Sequence, residues 1–370
     1  MADLKIIRHI KDGAEHWNAW RERAQAEALD LQKADLSGLK LSGVNLAQTN
    51  LSKANFNRTD LTYAHLEGAN LTGATFTNAN LKGANLSGAI LEQVNLGQAN
   101  LQNVNLTATD LRSLELKGIN IGVANLSGAD LRGVNLSNEN LKHTNFSGAN
   151  LSGANLQNAD LSGANLSNVN LTKAKLSRAK LRGALLTRSN LHGALLDFAD
   201  ISMAGCLMAN FSETILNKAI LSNANLGGAI LSGAQLVGAE LSNVFLNDAF
   251  LSMANLTKAN LSEADLSHAY LYRAILAHAI CIKTKFCHTE MAEVDLSMAT
   301  LRQANFSGAN LHNGYCCGAD LSGAIFMKTN LENVNLANAN LTNADFTNAV
   351  VKSTICTGAN LEGAIGVTEK

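Results

Sequence analysis

A chain of 370 residues would ordinarily hold two or three globular domains, yet only 5% of its residues are aromatic, proline is absent, and Leu, Ala, Asn, Ser and Gly dominate. That bias points to internal repetition. The 29 basic and 30 acidic residues nearly cancel, which argues against both a basic nucleic-acid binder and the strong negative field of a DNA mimic.

The first residues, MADLKIIRHIKDGAEHW, carry charges throughout and have no secretory core. No apolar run approaches the ~20 residues that span a bilayer, so the expected location is the cytoplasm. Residues 3–12 place Ile6, Ile7 and Ile10 on helical spacing, with Gly13 positioned to end a helix. Residues 14–28 read as a second helix, with Trp17 and Trp20 three apart on one face. Residues 1–28 are therefore expected to form a helical N-terminal cap. The two tryptophans read as a cover for a core that follows; the sharper reading is a partner-binding aromatic pair.

From Leu31 to Leu361, steps of five land on 67 successive apolar positions without an insertion. Two residues before each centre stands a small residue, usually Ala, and between them usually Asn or Asp. Positions two apart share a face of an extended chain, so the small and large residues point into one interior. Two consecutive polar positions then break the alternation and force a corner. A three-residue strand cannot bury its apolar face alone, so coils must stack and pair their backbones. Absence of proline suits an uninterrupted ladder, and a period of five walks around a helix of 3.6 residues per turn.

The segments Ala149-Asn150-Leu151-Ser152-Gly153, Ala159-Asp160-Leu161-Ser162-Gly163 and Ala319-Asp320-Leu321-Ser322-Gly323 resemble the pentapeptide-repeat family, whose consensus is A(D/N)Lxx. The resemblance covers residues 29–364. It implies an all-β solenoid, a right-handed quadrilateral parallel β-helix, here of about 17 coils at ~4.8 Å spacing. The period alone does not give four sides, but Phe286, Phe306, Phe326 and Phe346 recur at twenty, as do Phe56 and Phe76. A four-sided coil would stack each set in a column. The stretch from His16 to Arg21 is similar to the WNxWR-type leader of cyanobacterial members. Residues 365–370 form a short tail. It differs from the dimerising helical module of the gyrase-protecting branch, and is expected either to fold over the last coil or to leave a poorly capped end for end-to-end self-association.

Departures from the repeat mark candidate sites. Glu139 occupies a slot meant for Ala, so its carboxylate must reach water, a partner or a proton. Lys173, Lys175, Arg178, Lys180, Arg182 and Arg188 form a basic girdle with no acidic residue between Asp160 and Asp197. It reads either as an anion or acidic-partner site or as solvated surface, and no aromatic interleaves with it. Between residues 185 and 280 the position normally held by Asn or Asp turns apolar, giving Ile215, Ile230, Phe245, Phe250, Tyr270 and Ile275 among others. Exposed contiguous apolar surface marks interaction sites, and Ile230, Phe250 and Tyr270 should form one column. Asp248, His268 and His288 share a corner column, a candidate metal site against the simpler reading of solvated corners. Of six cysteines, Cys206, Cys281, Cys316 and Cys356 fall in core slots and Cys287 and Cys317 outside; none forms a CxxC pair.

No P-loop, GxSxG, HExxH or zinc spacing occurs, and no cofactor is implied. The expected function is a non-catalytic scaffold that binds another protein, with nucleic acid disfavoured and no membrane span. Two alternatives follow from the resemblance: a DNA-mimic protector of a type II topoisomerase such as gyrase, which predicts an acidic dimer, and a secreted bacterial effector, since some effectors carry such arrays.

Overall fold

The computed structural model describes residues 4–24 and 29–366. Residues 1–3 and 25–28 of the expected cap and 367–370 of the expected tail lie outside the described residues. Helix α1 spans Leu4–Lys11 and helix α2 spans Ala14–Ala24, separated by Gly13 at φ +106°. Through most of each of the two compact stretches, residues 30–175 and 176–366, the residue before each centre pairs in parallel with the residue twenty further on, as Asn50 does with Asn70 and Phe250 with Tyr270. Twenty residues therefore make one turn of four sides, a right-handed quadrilateral β-helix. The phenylalanine columns form as expected. Phe286, Phe306, Phe326 and Phe346 stack with centroids 5.0–5.1 Å apart, and Phe56 lies 4.8 Å from Phe76.

Each corner follows from the two polar positions. The amide of Ala54 donates to the carbonyl of Leu51 at 3.0 Å, and Lys53 between them has φ +58°. A positive φ at the third turn residue alone is the type II pattern. Many such corners are not glycine, and each left-handed L-residue costs ~1–2 kcal/mol, so stacking must over-determine the corner. The Asn or Asp before the centre does part of this. Its Oδ1 accepts from the backbone two residues on (Ser52 N to Asn50 Oδ1, 3.2 Å), and an Asn Nδ2 donates to its counterpart one coil earlier (Asn100 to Asn80, 3.1 Å). A turn cap and an inter-coil ladder thus come from one side chain. Leu151 and Leu161 have no solvent exposure, and burying each such leucine contributes ~1.5–3 kcal/mol.

The chain divides into two compact units, residues 1–175 and 176–370. In the first, α2 lies on an early coil through its side chains. Trp17 is fully buried and its Nε1 donates to the Asn45 carbonyl at 2.7 Å. The Asn18 amide behaves as a short strand: Nδ2 donates to Gly43 O at 3.0 Å, and Oδ1 accepts from Asn45 N at 2.8 Å. The Arg21 guanidinium donates to Asn45 O at 3.1 Å and to Ala47 O. Backbone groups that would otherwise face a missing neighbour are satisfied by three residues of the leader.

The same unit contains an interruption. Residues 89–98 make no backbone hydrogen bond to 110–119, and 114–123 make none to 134–143. Leu114 and Ile119 occupy slots that mostly hold Ala elsewhere, and Glu139 stands one coil above Ile119 in the same column. Three overfilled slots close together add volume that neighbouring coils must accommodate. A cavity of about 430 Å³ opens there, lined by Gln93, Gln98, Ser113, Glu115, Lys117 and Ile119 among others. Glu139 is only half-buried, and its Oε1 accepts from Gly118 N at 2.8 Å. Its carboxylate has found a backbone partner where a coil-to-coil bond is lost.

The second unit is regular. Cys206, Cys281 and Cys316 are buried as their slots require, whereas Cys356, expected in the core, is exposed. It sits in the last described coil, where Val351 and Leu361 are also only partly covered.

Candidate interaction surface

The position before each centre stands at the middle of one outer side of the coil, so its side chain projects from the ladder. In the second unit four such columns exist, and the apolar residues singled out by sequence are spread over all of them. Phe245 pairs with Asn225 and Asp265, Ile280 with Asn260 and Thr300, and Ile275 with Asn255 and Asp295. Ile215 shares the Ile275 column but is separated from it by Gln235 and Asn255, and it is only half-buried. The expected single patch is thus corrected: a period of five distributes successive sites around four sides. Contiguity over three coils survives in one column, where Ile230, Phe250 and Tyr270 are bridged in order; elsewhere only Leu195 and Ile215 are bridged neighbours. All three are exposed, and the Phe250 and Tyr270 rings stack 5.0 Å apart at 4°.

The structure adds residues to that side. Leu207 and Met208 lie at its corner one coil below Ile230, and Met253 and Tyr272 flank the corner that follows Phe250 and Tyr270. All four are exposed, Met208 at 61% and Met253 at 60%. Leu207 leans over Gly227: a Cβ there would meet its Cδ2 at 3.1 Å. These apolar residues fall at corners rather than at the strand position from which the apolar candidates were drawn, although their spacing of twenty was available.

The other candidates separate differently. Lys173 and Lys175 belong to the first unit, and Arg178, Lys180, Arg182 and Arg188 to the second. All six are exposed. Within the second unit those four occupy different sides and corners. Arg178 is engaged over the Phe198 ring at 5.3 Å, with Lys218 at 5.5 Å, and Arg182 donates to Ser202 Oγ at 3.3 Å. His268 and His288 stack with centroids 5.2 Å apart and planes 10° from parallel. Lone pairs of imidazole nitrogens lie in the ring plane, so stacked rings do not aim them at one point. Among the described residues no group of three or more His, Cys, Asp or Glu is placed to hold a metal.

All six cysteines are free. Burial pushes the Cys206 thiol up to about 12, and burial first, with Cys317 and Asp295 nearby, pushes Cys316 up to about 12. These are inert core groups, not nucleophiles. Among the described residues no helix is long and apolar enough to cross a membrane.

A quadrilateral β-helix with filled interior and patterned outer columns defines a solenoid scaffold protein. The model of the family described as "Pentapeptide repeats" matches in successive stretches, the first at residues 30–62 and the last at 329–365. The chain belongs to the pentapeptide-repeat family. It is 32% identical to HetL, a pentapeptide repeat protein involved in heterocyst differentiation regulation from the cyanobacterium Nostoc sp. strain PCC 7120, over 68% of this chain and 93% of that one, with a TM-score of 0.26. It is 27% identical to Rfr23 from the cyanobacterium Cyanothece 51142, over 35% and 90%, with a TM-score of 0.23. It is 19% identical to QnrB1, a plasmid-mediated fluoroquinolone resistance protein, over 50% and 86%, with a TM-score of 0.21. No curated protein matches the chain.

Proposed function

We propose that this protein is a non-catalytic scaffold that captures another protein on the side of its second unit carrying Ile230, Phe250 and Tyr270. The observation that carries this reading is contiguity: exposed apolar side chains continue across three successive coils there, whereas the next longest apolar run in the four columns is the pair Leu195 and half-buried Ile215. Phe250 and Tyr270 are stiff, large and backed by a buried ladder, so little entropy is lost on docking. Free cysteines throughout support a reducing compartment such as the cytoplasm. Affinity capture with wild type and with a Phe250→Ser, Tyr270→Ser variant tests the reading. The variant should keep the wild-type circular-dichroism spectrum and lose a partner that the wild type retains. Equal retention by both removes the assignment.

A further inference from the structure

The chain as a whole is nearly neutral, but the border of the Phe250 side is not. Glu213 lies at the corner below, Asp248 at the corner two residues before Phe250, and Glu290 in the same column directly after Tyr270. All three are exposed. Glu293 stands at the upper corner, and its partner Arg273, the one Lys or Arg on this side between residues 207 and 293, is tied to it at 2.7 Å. Glu290 accepts from Asn310 Nδ2 at 3.0 Å and Asp248 from Asn247 Nδ2 at 3.0 Å. Neutral donors leave both carboxylates with their charge uncompensated. Glu213 has only His192, at 3.8 Å. The apolar strip therefore has a border that is net negative, with the stacked His268 and His288 as the other titratable groups on the Asp248 corner.

The strip also has a repeat. Coils follow one another at ~4.8 Å, while an α-helix advances 5.4 Å per turn. Over the three steps from Met208 to Tyr270 the two registers drift by roughly 2 Å. A helix lying along the stack would thus present one apolar residue to each coil.

Resting on the function proposed above, we propose that the occupant is an amphipathic protein helix whose apolar stripe is bordered by lysine or arginine. The stripe packs on Ile230, Phe250 and Tyr270. Its flanking cations face Asp248 and Glu290. An anionic bilayer, which would also offer apolar depth, meets like charge at the same border.

The test uses the full chain and a synthetic amidated helix of about 14 residues, with leucine at i, i+3, i+4 and i+7 and lysine elsewhere. A second peptide carries glutamate in place of lysine. Fluorescence anisotropy should show saturable binding of the lysine peptide, weakened by salt, and binding of the glutamate peptide weaker by roughly tenfold or more. Asp248→Lys, Glu290→Lys should reverse that preference. Phe250→Ser, Tyr270→Ser should abolish binding of both peptides, and phosphatidylserine vesicles should not bind. If the two peptides bind equally, or charge reversal changes nothing while the serine variant still abolishes binding, the helix's charge assignment is overturned and the docking side stands. If the serine variant binds like wild type, the docking side itself falls. Vesicle binding lost in the serine variant would make the occupant a membrane and overturn the proposal.

Discussion

Thr144 fills a small-residue slot with a hydroxyl that is buried and has no hydrogen-bond partner. Elsewhere a threonine in this slot is satisfied: Thr59 Oγ1 donates to Leu36 O at 2.8 Å. Identical chemistry in equivalent slots should respond oppositely to the same change. Thr144→Val removes an unpaired polar group and should raise stability by about 1 kcal/mol, whereas Thr59→Val leaves a carbonyl short of a donor and should lower it by a similar amount. Urea midpoints of the two variants check this. Acid dependence is also set by single residues. Side-chain hydrogen bonds from Arg112 and Arg132 hold Asp110 and Asp130 below the ordinary carboxylate range. Because the folded values lie below the unfolded ~3.9, this stabilisation is complete above that pH and is lost as pH falls through the folded values. Both pairs are substantially exposed, so the effect is small. Melting temperature should stay level down to about pH 4 and then fall, and Asp110→Asn, Asp130→Asn should flatten the fall, since Asn makes the same turn cap.

At the scale of the element, the unit of structure is one side of a coil: a three-residue strand, a type II corner and its contacts above and below. The interruption at residues 110–123 coincides with three large residues, Leu114, Ile119 and Glu139, in neighbouring small slots, whereas Leu39 alone in such a slot leaves its ladder intact, the Asp60 amide donating to its carbonyl at 2.9 Å. Amides of Leu91, Gln93, Leu96 and Gln98, which in a regular coil would donate to residues of the next, have no backbone acceptor. Hydrogen exchange should find them among the fastest of the described coils in the first unit. A Leu114→Ala, Ile119→Ala, Glu139→Ala variant should close the ladder and slow those amides by at least tenfold. Unchanged exchange in that variant would mean that something other than slot volume holds the coils apart.

At the scale of the whole molecule, the repeat and its twenty-residue coil were legible in sequence because the signal is geometric. A five-residue apolar period held without insertion, and phenylalanines recurring at twenty such as Phe306 and Phe326, leave few other ways to bury the large residues. The interaction surface was legible only in part. Ile230, Phe250 and Tyr270 were visible as a column, but Phe245, Ile215 and Ile275 joined them only while position along the chain stood in for position around the coil. Leu207, Met208, Met253 and Tyr272 were missed because they sit at corners, where polar residues are the rule and a large apolar one looks like noise. Cys356 was misplaced because periodicity assigns a slot to the interior whether or not a further coil covers it.

The claim on which the function rests is that one side of the second unit, and not its opposite, meets the partner. A photo-reactive phenylalanine analogue placed at Phe250 and, separately, at Asn260, on the side opposite in the four-sided coil, measures this directly. Illumination during capture should cross-link the partner from position 250 and leave position 260 free. Equal cross-linking from both positions, or cross-linking from 260 alone, would contradict a docking side built on Ile230, Phe250 and Tyr270.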